Sequence, residues 1–342
     1  MSKQNTLFII AVYNLGIEEN LGEGIELNNG FRLTNNKNFI KSLITEDLIK
    51  SIGQIEYKGL IDYAEAVIYS IEDIDITEQN VDDVYIRKFI NAYSFIHDLW
   101  MVKDHSIEMN IGFIQFPYLK PSRLILTKEK VSNVHSNSFS FSSHSMANGT
   151  VSTTNYTTSE LKKAIELGKD KVVVLKNDDI QSDNMDKLNS RLSKSLNFLQ
   201  LARTLSHLEL RIANYCSAFE CLFADDNKEL SHKLSERIAY FLESEPEKRK
   251  DMFKFIKEVY GLRSAVIHGD IISNTQKKNL TDMSIKCDDI LRRVFKKLHD
   301  TPELDKFYRI THKNKQKNDI KKEFQDYFTN LLFGIEGNNI NE

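Results

Sequence analysis

Arg263 and His268 stand five residues apart in Tyr260-Gly261-Leu262-Arg263-Ser264-Ala265-Val266-Ile267-His268-Gly269. A guanidinium stays charged and grips anions such as phosphate through a planar fork of donors, and an imidazole takes or gives a proton near neutrality. The spacing sharpens the interest. Met252, Ile256, Val259, Arg263 and Val266 follow one another at three- and four-residue steps, so the arginine occupies a place that the helical pattern reserves for apolar contact. A charge there needs a carboxylate, an interface or an anionic ligand. On an unbroken helix the two side chains point about 140° apart, so only an unwound last turn, a bend at Gly261, a cleft or a dimer seam would gather them.

The helix that carries them is bracketed in the sequence. Ser244-Glu245-Pro246-Glu247 has the spacing of a capping box with proline in the first turn, and Gly269 stands where a left-handed glycine ends a helix. A purely structural role is the competing reading. Glu220, between Phe219 and Cys221 on an apolar helix, either faces solvent or pairs with Arg263 inside the bundle, leaving His268 to finish its helix as a cation near the C-terminus. Tyr260 and Asn214 read as packing residues, and Asp270 is a candidate hydrogen-bond partner for His268.

Other chemistries lack their motifs. His97 and His105 form no HExxH pattern, Cys216 and Cys221 lack zinc-ligand spacing, and none of the 13 glycines makes GxxxxGK or GxGxxG. No metal and no cofactor is expected. The three cysteines, Cys216, Cys221 and Cys287, form no CxxC and read as buried thiols in a reducing compartment. The longest apolar runs are far shorter than the roughly 18 to 20 residues of a membrane span, and the N-terminus lacks the pattern of a secretory signal. These features predict a cytoplasmic chain without membrane contact.

The net charge of −3 (46 basic against 49 acidic residues) excludes a polybasic nucleic-acid coat, so any such contact is local. With 342 residues, 41% of them apolar and 10% aromatic, two domains with true cores are expected. Residues 1–180 carry 18 basic and 24 acidic side chains, net −6, whereas the remainder carries 28 and 25, net +3. The first half shows strand-like runs at Leu7 to Tyr13, Ala64 to Ile71, Ile111 to Phe116, Leu124 to Thr127 and Lys171 to Lys176. One helical stretch lies near Val81 to Met101. That predicts a mixed α+β domain of antiparallel strands over 1–180. Within it, 13 of the 24 residues from Ser136 to Ser159 are Ser or Thr, which reads as a mobile loop or exposed hairpin. Its Asn148-Gly149-Thr150 sequon is taken as chance.

The second half, with only Pro246 and Pro302, predicts an all-α bundle over 181–300. Its helices are expected near 184–205, 207–224, 230–243, 246–268 and 281–299. Residues 301–342 read as a basic tail with a short helix near Ile320 to Phe333.

Two further segments join the Arg-His stretch in a resemblance. Glu209-Leu210-Arg211 through Cys216-Ser217-Ala218-Phe219-Glu220-Cys221-Leu222, and Leu234-Ser235-Glu236-Arg237-Ile238-Ala239, precede Tyr260 to Gly269. Over about residues 185–300 this resembles the Apea-like branch of the HEPN superfamily, whose motif is Arg, four to six residues, then His. The resemblance implies an α-helical domain that dimerises, joining two Arg-His motifs in one cleft that cuts RNA without a metal. Arg263 and His268 would be catalytic, supported by Glu220, Ser264 and Tyr260. RNA brings its own nucleophile, the 2′-OH, so a proton carrier and a fixed cation are the main requirements. Products would be a 2′,3′-cyclic phosphate and a 5′-OH, and DNA would survive. Catalytic members often have Asn, Asp or His after the arginine; here Ser264 can hydrogen-bond but carries no charge. The implied setting is anti-phage defence or a toxin-like role. RNA, with tRNA among the candidates, would be the substrate, and a phage-derived or small-molecule trigger would act through the first half. The alternatives are a non-catalytic dimerisation or RNA-binding platform, and a ligand sensor whose helical half transmits the signal.

Overall fold

The computed structural model describes residues 6–74, 76, 80–121, 128–136, 144–169, 190–226, 228–308 and 317–335. The strands expected at Leu124 to Thr127 and Lys171 to Lys176 lie outside the described residues. Two compact units make up the chain: Met1–His144 with Val151–Lys171, and Ser145–Thr150 with Val172–Glu342. Among the described residues no helix is long and apolar enough to cross a membrane.

The first unit is α+β. Its strands are β1 (Thr6–Tyr13), β2 (Leu15–Ile17), β3 (Ile25–Glu26), β4 (Arg32–Thr34), β5 (Ala66–Glu72), β6 (Glu108–Pro121), β7 (Lys128–His135) and β8 (Thr154–Tyr156). Six of them form one sheet in the order β3-β4-β5-β1-β6-β7, and every described pairing in it is antiparallel. β1 is buried from Thr6 to Val12 because both of its faces are covered. Phe8, Ile10 and Val12 pack with Tyr85, Phe89 and Leu99 of helix α4, below; Leu7, Ile9 and Ala11 pack with Ile40, Leu48 and Leu60. Two-sided burial explains why β1 reads as an unbroken apolar run rather than an alternating one.

The helices of this unit are α1 (Lys37–Leu43), α2 (Glu46–Ile52), α3 (Gln54–Lys58), α4 (Val81–Val102) and α5 (Thr158–Lys169). The sequence reading found only α4. Side-chain caps start two of the others: the Asn36 side chain accepts from Asn38 N and Phe39 N, and Thr45 accepts from Leu48 N. The stretch from Ser136 to Ser159 is corrected over its described part. His144 is buried, β8 pairs in parallel with β2, and Thr157 with Glu160 forms a reciprocal cap for α5 (3.2 and 3.0 Å). Ser145, Ser152 and Thr157 hydrogen-bond within the fold, while Ser136, Thr150, Ser152, Thr153 and Ser159 are exposed.

Among its described residues the second unit has helices and turns only. Its main helices are α6 (Arg191–Thr204), α7 (Leu208–Phe223), α8 (Leu230–Leu242), α9 (Pro246–His268), α10 (Asn274–Asp300) and α11 (Lys317–Leu332). α7 is the buried centre and packs against α6, α9 and α10. α10 begins well before the expected residue 281 because Ser273 and Gln276 form a capping box, a signal placed instead at Ser244 and Glu247. There the N-cap is Glu245, without a side-chain cap bond, and Pro246 starts the helix. Residues 317–332 are not a free tail. Phe324 and Phe328 are buried, with Phe328 5.8 Å from the Phe223 ring, while Arg191 lies over Phe324 (4.5 Å) and Arg237 over Phe328 (5.2 Å).

Candidate functional site

α9 is continuous from Pro246 to His268, so its apolar stripe is set by helix geometry alone. Met252, Ile256, Val259 and Leu262 are its buried residues. The stripe thus passes through Leu262, and Arg263 sits on its margin with a side chain 25% exposed, a correction to the placement expected from spacing. The guanidinium lies over the Tyr260 ring at 5.8 Å and meets Glu220 of α7, Nη2 to Oε2, at 3.0 Å. Glu220 therefore pairs inward instead of facing solvent.

This pair is joined at one point. Arg263 Nε and Glu220 Oε1 are both buried and lack a hydrogen-bond partner. Burial pushes the Glu220 carboxyl above its ordinary value, and the neighbouring guanidinium offsets only part of that push. Burial also raises the thiol of Cys216, one turn earlier on α7, and holds Cys221 up at about 11. Both are weak nucleophiles near neutrality.

Gly269 ends α9 in the left-handed region (φ 76°), as its position predicted. Asp270 N donates to Ala265 O (2.8 Å) and Gly269 N to Val266 O (3.3 Å), the paired bonds of a Schellman motif. His268 occupies the last helical turn, exposed and without a hydrogen bond to another described residue. Asp270 supplies none. Because no bend at Gly261 and no unwinding intervenes, Arg263 and His268 keep their divergent directions, and one copy of the chain does not bring them together. Ile267 (62% exposed) precedes His268, and Ile271 (94%) follows soon after. Ser264 is half-buried beside Arg263, and Asn214 turns back to Leu210 O (2.8 Å) on its own helix. Of the residues singled out, the structure unites Arg263, Glu220 and Tyr260 and leaves His268 apart.

Arg211 is the residue that sequence reading passed over. It lies in the quoted Glu209-Leu210-Arg211 stretch and is fully buried, its Nε donating to Leu205 O at 3.2 Å. Its signal was available: a charge set among Ile212, Ala213 and Tyr215 on an apolar helix. Among the described residues no group of three or more His, Cys, Asp or Glu side chains is arranged to hold a metal ion. Comparison of the chain with models of known families, with curated proteins and with solved structures returns no match. The HEPN likeness thus rests on the residues already named.

Proposed function

We propose that the chain is an endoribonuclease of the HEPN type that works in the cytoplasm as a homodimer, with Arg263 as phosphate clamp and His268 as proton carrier. The observation that carries this reading is the state of His268: an exposed imidazole, without a hydrogen bond to another described residue, on the same unbroken helix as a guanidinium whose side chain is 25% exposed. Since the two diverge within one copy, a second copy must complete the cleft. The exposed Ile267 and Ile271 give that copy apolar surface to cover beside His268.

In the proposed reaction one His268 takes the 2′-OH proton as the 2′-oxygen bonds to phosphorus. Arg263 stabilises the charge on the phosphate oxygens. The bond from phosphorus to the 5′-oxygen breaks, and the partner subunit's His268 protonates that oxygen, leaving a 2′,3′-cyclic phosphate and a 5′-OH. Glu220 and Tyr260 orient Arg263, and Ser264 offers a hydrogen bond at the cleft. Defence against phage or a toxin-like arrest of growth is the setting this activity suits, with the first unit receiving a trigger.

Purified protein incubated with total RNA and EDTA tests the reading. Chelator-resistant cleavage that spares DNA and is lost in both Arg263→Ala and His268→Ala is the expected result. Intact RNA in every condition, including in lysate from phage-infected cells, would overturn it. The Arg263 to Glu220 pair favours one second reading, a non-catalytic platform in which the arginine is structural; RNA binding without cleavage would support that reading.

A further inference from the structure

α9 turns by about 100° per residue, which sorts its side chains into rows. Counted back from His268, the positions Gly261, Lys257, Lys254 and Lys250 fall with it inside an arc of about 60° around the axis. All of them are exposed. The acids stand aside: Asp251 and Glu258 lie roughly 80–100° from the His268 direction. Lys250 meets Glu247 at 3.2 Å with both side chains well exposed, and such a pair is weak. Lys254 and Lys257 make no hydrogen bond or ion pair with another described residue.

Gly261 is an independent observation on the same row. Glycine inside a helix weakens it, yet a Cβ at this position would meet nothing within 4 Å. No neighbour in the fold therefore requires the missing side chain. The bare step lies between Lys257 and His268, where a ligand lying along the row could approach the helix backbone.

We propose that this row is a track for the phosphodiester backbone of single-stranded RNA. Lys250, Lys254 and Lys257 take phosphates in turn, and Gly261 lets the strand lie against the helix as it reaches His268. The lysines stand about 6 and 4.5 Å apart along the axis, and Lys250 is about 27 Å from His268. A single narrow row follows one backbone, and it offers no apolar side chain for a lipid surface to bury. Positive charge gathered on one helix face is the local contact that a chain of net charge −3 permits. The choice of RNA among polyanions, and the arrival at His268, rest on the proposed function.

Binding of a fluorescent 2′-O-methyl RNA strand to the full-length chain, followed by anisotropy across a salt series, tests this. The probe has no free 2′-OH, so it is held without being cut. Lys250→Gln, Lys254→Gln and Lys257→Gln together should weaken binding at least tenfold at low salt. They should also lower the slope of log affinity against log salt by about 2, at roughly 0.7 per phosphate contact. Lys41→Gln, Lys162→Gln and Lys163→Gln together remove the same charge from exposed sites of the first unit and should leave the slope unchanged. Equal losses in the two triple variants, or no binding by the unaltered chain, overturn the proposal. Gly261→Gln should unfold at or above the parent temperature yet bind at least threefold more weakly, and undiminished binding overturns the proposal too. Phosphatidylserine vesicles are the competing probe: a row variant that loses vesicle binding and keeps RNA binding makes the row a membrane contact and overturns the track. Cleavage of ordinary RNA is read separately. Cutting with an unchanged salt slope in the row variant removes the track and leaves the nuclease, whereas row-dependent binding without cutting removes the nuclease and leaves the track.

Discussion

Arg263 and Glu220 meet through a single contact, Nη2 to Oε2 at 3.0 Å, and each leaves one further buried polar atom unanswered. A two-point fork would be the stronger arrangement. Glu220→Ala strands a partly buried cation and is expected to cost about 1–3 kcal/mol in denaturant unfolding. Glu220→Gln, which keeps an acceptor, costs less.

The same carboxyl gives a pH prediction. Its folded value lies above the ordinary glutamate value, because burial outweighs the arginine. The folded state therefore holds this proton more tightly than the unfolded chain does. The group favours folding at the acid end, and its contribution is lost as pH rises through the raised value. A carboxyl 13C titration of Glu220 should show the elevated midpoint, and Arg263→Met should raise it further. A midpoint that falls in Arg263→Met contradicts the assignment.

Asp225 behaves in the opposite sense. Burial pushes it up, but hydrogen bonds from Arg237 (3.0 Å) and Gln325 (2.6 Å) prevail and hold it at about 2. Its stabilising contribution is present above the unfolded aspartate value and disappears as pH falls through about 2. Acid unfolding of Asp225→Asn should accordingly be flatter below about pH 4 than that of the parent, as followed by circular dichroism.

A shared cleft makes mixing informative. Unaltered protein co-refolded with an excess of His268→Ala should lose RNA cleavage with the square of the unaltered fraction, since a mixed dimer holds one imidazole where the reaction uses two. A loss merely proportional to that fraction would count against a composite site.

Gly269 offers a test free of clashes. A Cβ there meets nothing, so only the positive φ of 76° matters. Gly269→Ala should lower stability by about 1 kcal/mol and Gly269→Asn by less, measured by thermal unfolding.

The helical half was largely legible because its signals are local: α9 spans 246–268 as the proline, the apolar steps and Gly269 indicated. The start of α10 was missed because Ser273 and Gln276 cap a turn that is mostly exposed, where no apolar periodicity announces a helix. In the first half α1 and α2 are each seven residues long, too short for a periodic pattern to stand out. At the site, Arg263 and His268 were visible as residue types, and Glu220 as one of two alternatives. The role of Arg211 was not, because its acceptors include residues of sequence-distant Ser145–Thr150, and nothing local records such a long-range bond.

The central strand of the sheet is made first and completed late. Leu7 pairs with Ile71 on one side and with Gln115 on the other. At about 5–20 residues per second of synthesis, the run Leu7-Phe8-Ile9-Ile10-Ala11-Val12 waits roughly 5–20 s for its second neighbour. Uncharged and rich in β-branched residues, it is an adhesive segment while it waits. Slowed translation before residue 115 should therefore lower the yield of native protein, and a ribosome-associated chaperone should restore it.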